Sequence, residues 1–379
     1  MEYLDYEVLR VIWWVLLGVL LIGFTLTDGF DLGVASLLPF VARTDVERRM
    51  VINSVGPTWE GNQVWFILGG GAIFAAWPYV YAVSFSGFYL AMFLVLAALI
   101  LRPVGFKYRS KKPDPAWRAR WDWALFVGGF VPALVFGVAV GNVLKGVPFR
   151  IDSDMRAFYD GTLLGLFTPL PLVCGLLSVA MVVLHGASWL TIKLEDGAVR
   201  ERARRFGLIA GVAVIVLFSL GGMLAQGYGY QLSGPVDPLG PSNPLRSLTM
   251  PVAGAWSANL AAHPLMIIAP ALGFLGAGLA LLGIARRSEA LAFAGSSSAA
   301  AGIISTVGLS MFPYILPSSI DAHSSLTVWN ASSSHGTLFL MLIVTLVLLP
   351  IVLLYTAWAY KVMWGRVTTA EVKTNPDFY

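Results

Sequence analysis

The sequence predicts an all-α polytopic membrane protein with nine transmembrane helices, and three observations carry that prediction. Of its 379 residues, 57% are hydrophobic and only 12% charged, where a soluble domain averages about 45–50% apolar and about 25% charged residues. Nine runs are apolar enough to supply the roughly 20 residues that cross roughly 30 Å of hydrocarbon. The basic residues alternate between successive loops as the positive-inside rule requires. These proportions exclude a cytosolic enzyme, a nucleic-acid binder and a disordered chain. The single cysteine, Cys174, excludes an intrachain disulfide and a cysteine-built zinc or iron–sulfur site, so no metal site is expected.

Taken in order, the first run (about 11–40) is interrupted by Asp28 and Asp31. Its leader carries Glu2, Asp5 and Glu7 against Arg10 with no small-residue cleavage pattern, so the run is expected to persist as a helix. The second (61–80) opens at Glu60, and the third (83–101) follows closely. The fourth (124–144), fifth (163–192), sixth (207–225) and seventh (264–285) are plainly apolar. The eighth (290–315) begins with small residues, Gly295 to Gly302, which favour close helix packing, and ends at Met311-Phe312-Pro313, where proline removes a backbone donor. The ninth is 337–360. The loops 145–162, 227–263 and 316–336 are polar, rich in Pro, Gly and Ser, and too small to be domains. A single integral membrane domain, 1–379, is expected. A pseudo-repeat of about 1–160 and 161–320 would make two four-helix bundles, with 337–360 as an additional helix.

Loop charge gives the orientation. The loops after runs one, three, five and seven, with the tail, hold 20 of the 25 basic residues, and the leader and remaining loops hold five. That split places the N-terminus on the periplasmic side and the C-terminus in the cytoplasm. The net charge of +4 is therefore a topology signal and no nucleic-acid footprint.

A charged side chain at bilayer depth costs about 2.5–3.5 kcal/mol on insertion scales, so each one asks for a reason. Asp28 and Asp31 are three residues apart and share a helix face, about 4.5 Å apart along the axis. They repel if both ionise, so at least one is expected to be protonated or paired with a base such as Arg49 or Arg102. A structural ion pair and a proton-handling role both remain open. Glu60 lies between Trp59 and Trp65, followed by Gly61 and Asn62. It reads either as a proton site among apolar aromatics or as a first-turn acid complementing the helix dipole. The four histidines do not pair: His185 lies toward the cytoplasmic end of the fifth run, and His263, His323 and His335 lie on the outer side. No haem held wholly by this chain is expected, and redox chemistry is expected in a partner.

These segments resemble subunit II of the bacterial cytochrome bd quinol oxidases, over essentially the whole chain. The residues that carry the resemblance are Gly23-Phe24 with Thr27-Asp28-Gly29-Phe30-Asp31-Leu32-Gly33, then Glu47-Arg48-Arg49 and Ile52-Asn53-Ser54. Trp59-Glu60-Gly61-Asn62-Gln63-Val64-Trp65, Phe74-Ala75-Ala76-Trp77-Pro78, Arg102-Pro103 and Gly141-Asn142 follow. Gly146-Val147-Pro148-Phe149, Met311-Phe312-Pro313 with Pro317-Ser318-Ser319, and Ser325-Leu326-Thr327 with Trp329 complete the series. The resemblance implies a partner, subunit I, holding low-spin haem b, high-spin haem b, haem d and the external quinol site, and a small single-span accessory subunit. It implies oxidation of membrane quinol, reduction of oxygen to water and a membrane potential generated without pumping, in the bacterial inner membrane. This chain would stabilise subunit I, hold a structural quinone, and serve proton and oxygen access. By the same resemblance Glu60 belongs to a proton path, Trp65 to an oxygen entrance, and Trp59 and Arg102 to a quinone site; Asp28 and Asp31, the other acids within the apolar runs, are added to the proton path as candidates on their position alone. Lys107, Asn330 and His185 depart from familiar members, and His185 receives no family role. A proton-coupled transporter using Asp28, Asp31 and Glu60 is the alternative, and a passive scaffold is a third reading.

Overall fold

The computed structural model describes residues 4–374 and Phe378; Glu2 of the leader lies outside them. Helix α1 (Tyr6–Val41) runs 36 residues, about 54 Å, and carries both aspartates without a break. α2 (Asp45–Val55) starts on a capping box in which Thr44 and Glu47 bond each other's backbone. These two orphan donors are thereby satisfied reciprocally.

The second expected run is not one helix. It divides into α3 (Trp59–Asn62), α4 (Val64–Ala76) and α5 (Pro78–Gly87). Pro78 lacks the N–H that would continue α4 and forces Trp77 out of helical geometry, to φ −136° and ψ 74°. At 13 residues α4 is about 20 Å long, and only α3 and α4 end to end approach the thickness of the hydrocarbon.

The remaining helices are α6 (Tyr89–Tyr108), α7 (Pro115–Lys145), α8 (Pro169–Lys193), α9 (Ala198–Ala225), α10 (Ala255–Ala262), α11 (Ile268–Ala285), α12 (Glu289–Met311), α13 (His335–Val362) and α14 (Thr369–Thr374). Among the described residues, eight helices are long and apolar enough to cross a membrane. α7 and α9 each begin nine residues before the apolar runs they contain, because a helix continues past the point where it stops being apolar. Asp114 caps α7 by accepting from the N–H groups of Ala116 and Trp117, at 3.0 and 3.3 Å.

The expectation of an all-α chain is corrected in the loops. Antiparallel hairpins form between β1 (Phe149–Ile151) and β2 (Ala157–Tyr159), β3 (Tyr230–Leu232) and β4 (Thr249–Pro251), and β5 (Tyr314–Leu316) and β6 (Leu326–Thr327). Short paired strands satisfy backbone groups that these Pro- and Gly-rich loops cannot satisfy as helix. The three hairpins gather at one end of the bundle, where Val147 also bridges to Ser318.

α1 is the central helix and touches α4, α7, α8 and α12. Its contact with α8 is backbone on backbone: a Cβ at Gly33 would stand 1.8 Å from the Val182 carbonyl oxygen. α11 and α12 meet equally closely, since a Cβ at Gly295 or Gly302 would lie 2.3 or 2.2 Å from α11 backbone nitrogens. The small-residue run thus serves packing within the chain.

The chain ends are sorted between the two ends of the bundle. Tyr6 donates to the Ser333 carbonyl at 2.6 Å. The buried Arg10 bonds the carbonyls of Pro238 and Gly240 and the hydroxyls of Ser242 and Ser332, all at the hairpin end. α14 instead packs on α2, and Val367 donates to the Lys193 carbonyl at 2.7 Å, at the opposite end.

Candidate functional site

Helical spacing turns Asp28 and Asp31 inward together, and the two carboxylates find different partners. Arg102 of α6 donates Nη1 to Asp28 Oδ2 at 3.0 Å and Nη2 to Asp28 Oδ1 at 2.7 Å. Both side chains are 1% exposed. This two-pronged geometry is the strongest a guanidinium and a carboxylate can make. Of the two bases considered from sequence, Arg102 is the one that takes Asp28. Gly128 of α7 leaves room for it, since a Cβ there would lie 2.9 Å from Arg102 Cγ.

Asp31 meets an amide. Asn62 Nδ2 donates to its Oδ2 at 2.7 Å, and Tyr360 of α13 donates its hydroxyl to Asn62 Oδ1 at 2.6 Å. Asp31 Oδ1 is buried with no hydrogen-bond partner among the described residues. The site is thus two buried carboxylates against one guanidinium, with one carboxylate oxygen unspent.

Trp59 walls this site. It stacks on Phe106 with ring centroids 4.9 Å apart and planes 15° from parallel, and the Arg102 guanidinium carbon lies 5.8 Å from its ring. Asn62 is on the same face of the segment as Trp59, one turn on, whereas Glu60 and Gly61 point the opposite way. Glu60 is exposed and makes no hydrogen bond or ion pair among the described residues. Trp65 packs against α1, where a Cβ at Gly23 would meet its ring at 3.0 Å. Beside it Phe24, Phe66 and Phe136 form a mutual cluster with centroids 5.2–5.6 Å apart. The structure therefore unites Asp28, Asp31, Arg102 and Trp59 in one site, and sets Glu60 and Trp65 apart from it.

Asn62 and Tyr360 were not singled out from sequence, since an amide and a tyrosine 298 positions apart carry no joint signal. Asp122 was missed too. It is buried and accepts from Arg109 Nε at 2.5 Å and from Arg48 Nη1 at 2.9 Å, tying α2 and the turn that follows α6 to α7. An acid in a loop of seven basic residues reads as ordinary charge balance.

The buried histidine is not placed to take a haem. Among the histidines, His185 alone is buried. Its Nε2 donates to the Leu26 carbonyl at 3.1 Å, its Nδ1 lies 2.8 Å from Ser296 Oγ, and its ring stacks on Phe293 at 4.7 Å. A carbonyl only accepts, so Nε2 carries the proton, while Nδ1 faces the Ser296 hydroxyl, which also donates to the Phe293 carbonyl at 3.0 Å; the ring is fully buried with both nitrogens against polar partners. His323 and His335 bond backbone carbonyls at the hairpin end. Trp59 and Arg102 are likewise sealed: a quinone ring reaches them only if Phe106 or Asp28 yields its place.

The family model for cytochrome bd terminal oxidase subunit II matches residues 9–363. A probable cytochrome oxidase subunit 2 of Haemophilus influenzae is 49% identical over 98% of each chain. The cytochrome bd-I ubiquinol oxidase subunit 2 of Escherichia coli is 48% identical over 98% of each. The cytochrome bd ubiquinol oxidase subunit 2 of Bacillus subtilis is 30% identical over 97% of this chain and 99% of that one. The bd oxidase structure from Geobacillus thermodenitrificans contains a chain of the same fold, with a TM-score of 0.69 at 17% identity, covering 95% of this chain and all of that one. A match of this length, reached independently through sequence and fold, means that the chain belongs to the cytochrome bd terminal oxidase subunit II family.

Proposed function

We propose that this chain is the haem-free subunit of a quinol:oxygen oxidoreductase, supporting the haem-bearing subunit I and serving proton access to it. The family membership sets the class, and relatives named as ubiquinol oxidase subunits make quinol the expected reductant. Low-spin haem b, high-spin haem b and haem d belong to the partner in this reading. A small single-span subunit completes the complex, and the potential arises without pumping, by proton release outside and uptake inside.

The observation that carries the proton role is Asp31. Arg102 balances the charge of Asp28, so one proton on Asp31 makes the cluster neutral, and its partnerless Oδ1 is the atom that receives it. Asn62 holds the other oxygen and does not relay: an amide between Tyr360 and Asp31 interrupts hydroxyl-to-carboxylate transfer. Glu60, on the outward face of α3, is the carboxylate a partner subunit would meet. The Trp65 wall, apolar and beside three phenylalanines, suits a nonpolar gas and is the proposed oxygen approach. A structural quinone at Trp59 and Arg102 would require their present contacts to open. The acids of the site cluster on α1 and α3, and the family membership favours the oxidase reading over a proton-coupled transporter using Asp28, Asp31 and Glu60.

Purification of the tagged chain from membranes is expected to bring down a haem-bearing subunit, and a colourless, single-chain preparation would overturn the assignment. Glu60→Gln and Asp31→Asn are expected to slow oxidase turnover with the haem spectrum of the complex intact. Wild-type turnover in both would remove the proton role.

A further inference from the structure

At the end of the bundle opposite the hairpins lies a cavity of about 350 Å³, within the range of about 300–1,000 Å³ typical of ligand sites. The proposed oxidase role makes no use of it. Four guanidiniums line it against three carboxylates, and the carboxylates are shared. Glu289 bonds both Arg200 and Arg366, the latter at 2.7 Å, and Asp196 is also taken by Arg200. That leaves Glu201 for two arginines at once, Arg204 at 3.5 Å and Arg287 at 3.6 Å. Neither distance is that of a well-formed charge-assisted bond.

The deficit is sharpest at Arg204. Its side chain is 8% exposed, and its Nε has no hydrogen-bond partner among the described residues. The buried Nε of Arg200 lacks one as well. A buried guanidinium left short of acceptors is costly. Two long helices also begin at this wall. Gly197 precedes α9 and Ser288 precedes α12, and neither N-terminus receives a side-chain cap. Their first N–H groups and positive dipole ends favour an anion at the same place.

We infer that this cavity recognises a phosphate group, held between Arg204 and Arg287 at the starts of α9 and α12. It lies where the apolar spans end, so an anionic phospholipid headgroup and soluble phosphate both present the required chemistry. Bound phosphate supplies the acceptors that one shared glutamate cannot.

The test uses the intact purified complex and reads binding rather than turnover, so it is independent of the proton role. In detergent, inorganic phosphate is titrated against chloride at matched ionic strength while thermal unfolding is followed. In parallel, the complex is placed in nanodiscs of phosphatidylglycerol or phosphatidylcholine, and retained lipid is weighed by native mass spectrometry. A saturable response to inorganic phosphate assigns the soluble anion, and retention of phosphatidylglycerol alone assigns the headgroup. In either case Arg287→Gln, at a largely exposed position, weakens the response about tenfold, as loss of one charged contact does. Glu201→Gln strengthens it by releasing both guanidiniums. A cluster serving only internal ion pairing gives no anion response in either arm, or an equal response in all variants, and either result overturns the proposal.

Discussion

Asp28 has both oxygens bonded to one guanidinium, which decides how harshly each substitution here acts. Arg102→Gln leaves a carboxylate buried without its counter-charge, a loss of about 3–5 kcal/mol in comparable buried pairs. Asp28→Asn strands the arginine in the same way. Both single variants are expected to cut the yield of assembled complex sharply, as read by size-exclusion chromatography of solubilised membranes. Asp28→Asn combined with Arg102→Gln, which removes both charges, recovers part of that yield. If the double variant assembles no better than the worse single one, the ion pair is not what the site conserves energetically. Asp31→Asn differs, because its partner is the neutral amide of Asn62: assembly persists and the effect falls on turnover. The two neighbouring aspartates thus differ in their contacts: Asp28 has both oxygens held by Arg102, and Asp31 keeps one oxygen without a partner among the described residues, which is the basis of its proposed proton role.

The helices show what hydropathy conveys and what it omits. The apolar runs marked the long helices and the acids within them, because burial and bilayer crossing both select apolar residues. The break at Trp77-Pro78 escaped that reading, although proline announced it, because the run stays apolar through the break. Nor does hydropathy give depth of contact between helices. Gly33 and Gly186 sit at the α1 and α8 crossing, where a Cβ on Gly186 would lie 2.6 Å from the Gly33 carbonyl carbon. The crossing lies next to both Asp31 and His185, so it sets the spacing around the site. Gly33→Ala is expected to force the helices apart, at about 1–3 kcal/mol or more, and to lower the thermal stability of the purified complex. Gly18→Ala on the same helix, with nothing within 4 Å of the added carbon, is expected to leave it unchanged. Equal behaviour of the two would mean that α1 and α8 have slack at their crossing. The pairing of Asp28 with Arg102 was half legible, since the base was one of two considered. Asn62 and Tyr360 were not, since a single sequence does not show which distant polar residues the packing of α1, α3 and α13 brings together.

For the whole molecule, a multi-pass protein of the bacterial cytoplasmic membrane, the open quantity is the number of crossings. Eight helices meet the length and hydropathy that a span requires, yet the first residues lie at the hairpin end and the tail lies at the other. Opposite ends require an odd number of passes, so the short α3 and α4 pair is proposed as the ninth. Its neighbours agree: α5 touches β2 and β5 at the hairpin end, while Arg202, following α8, bonds Glu47, before the broken pass, at 2.7 Å. Glu47 and Arg202 share a side only if the number of crossings between them is even. That number is four with the broken pass and three without it. Cysteine labelling tests the point, and the single native cysteine makes it practicable. In a Cys174→Ser background, Arg43→Cys and Arg287→Cys are both expected to resist a membrane-impermeant thiol reagent in intact spheroplasts and to react once the membrane is opened. Asp237→Cys, in the loop after α9, is expected to react without opening. Labelling of Arg43→Cys and Arg287→Cys from opposite sides would mean that α3 and α4 do not cross, and the nine-pass arrangement would fall with the orientation drawn from loop charge.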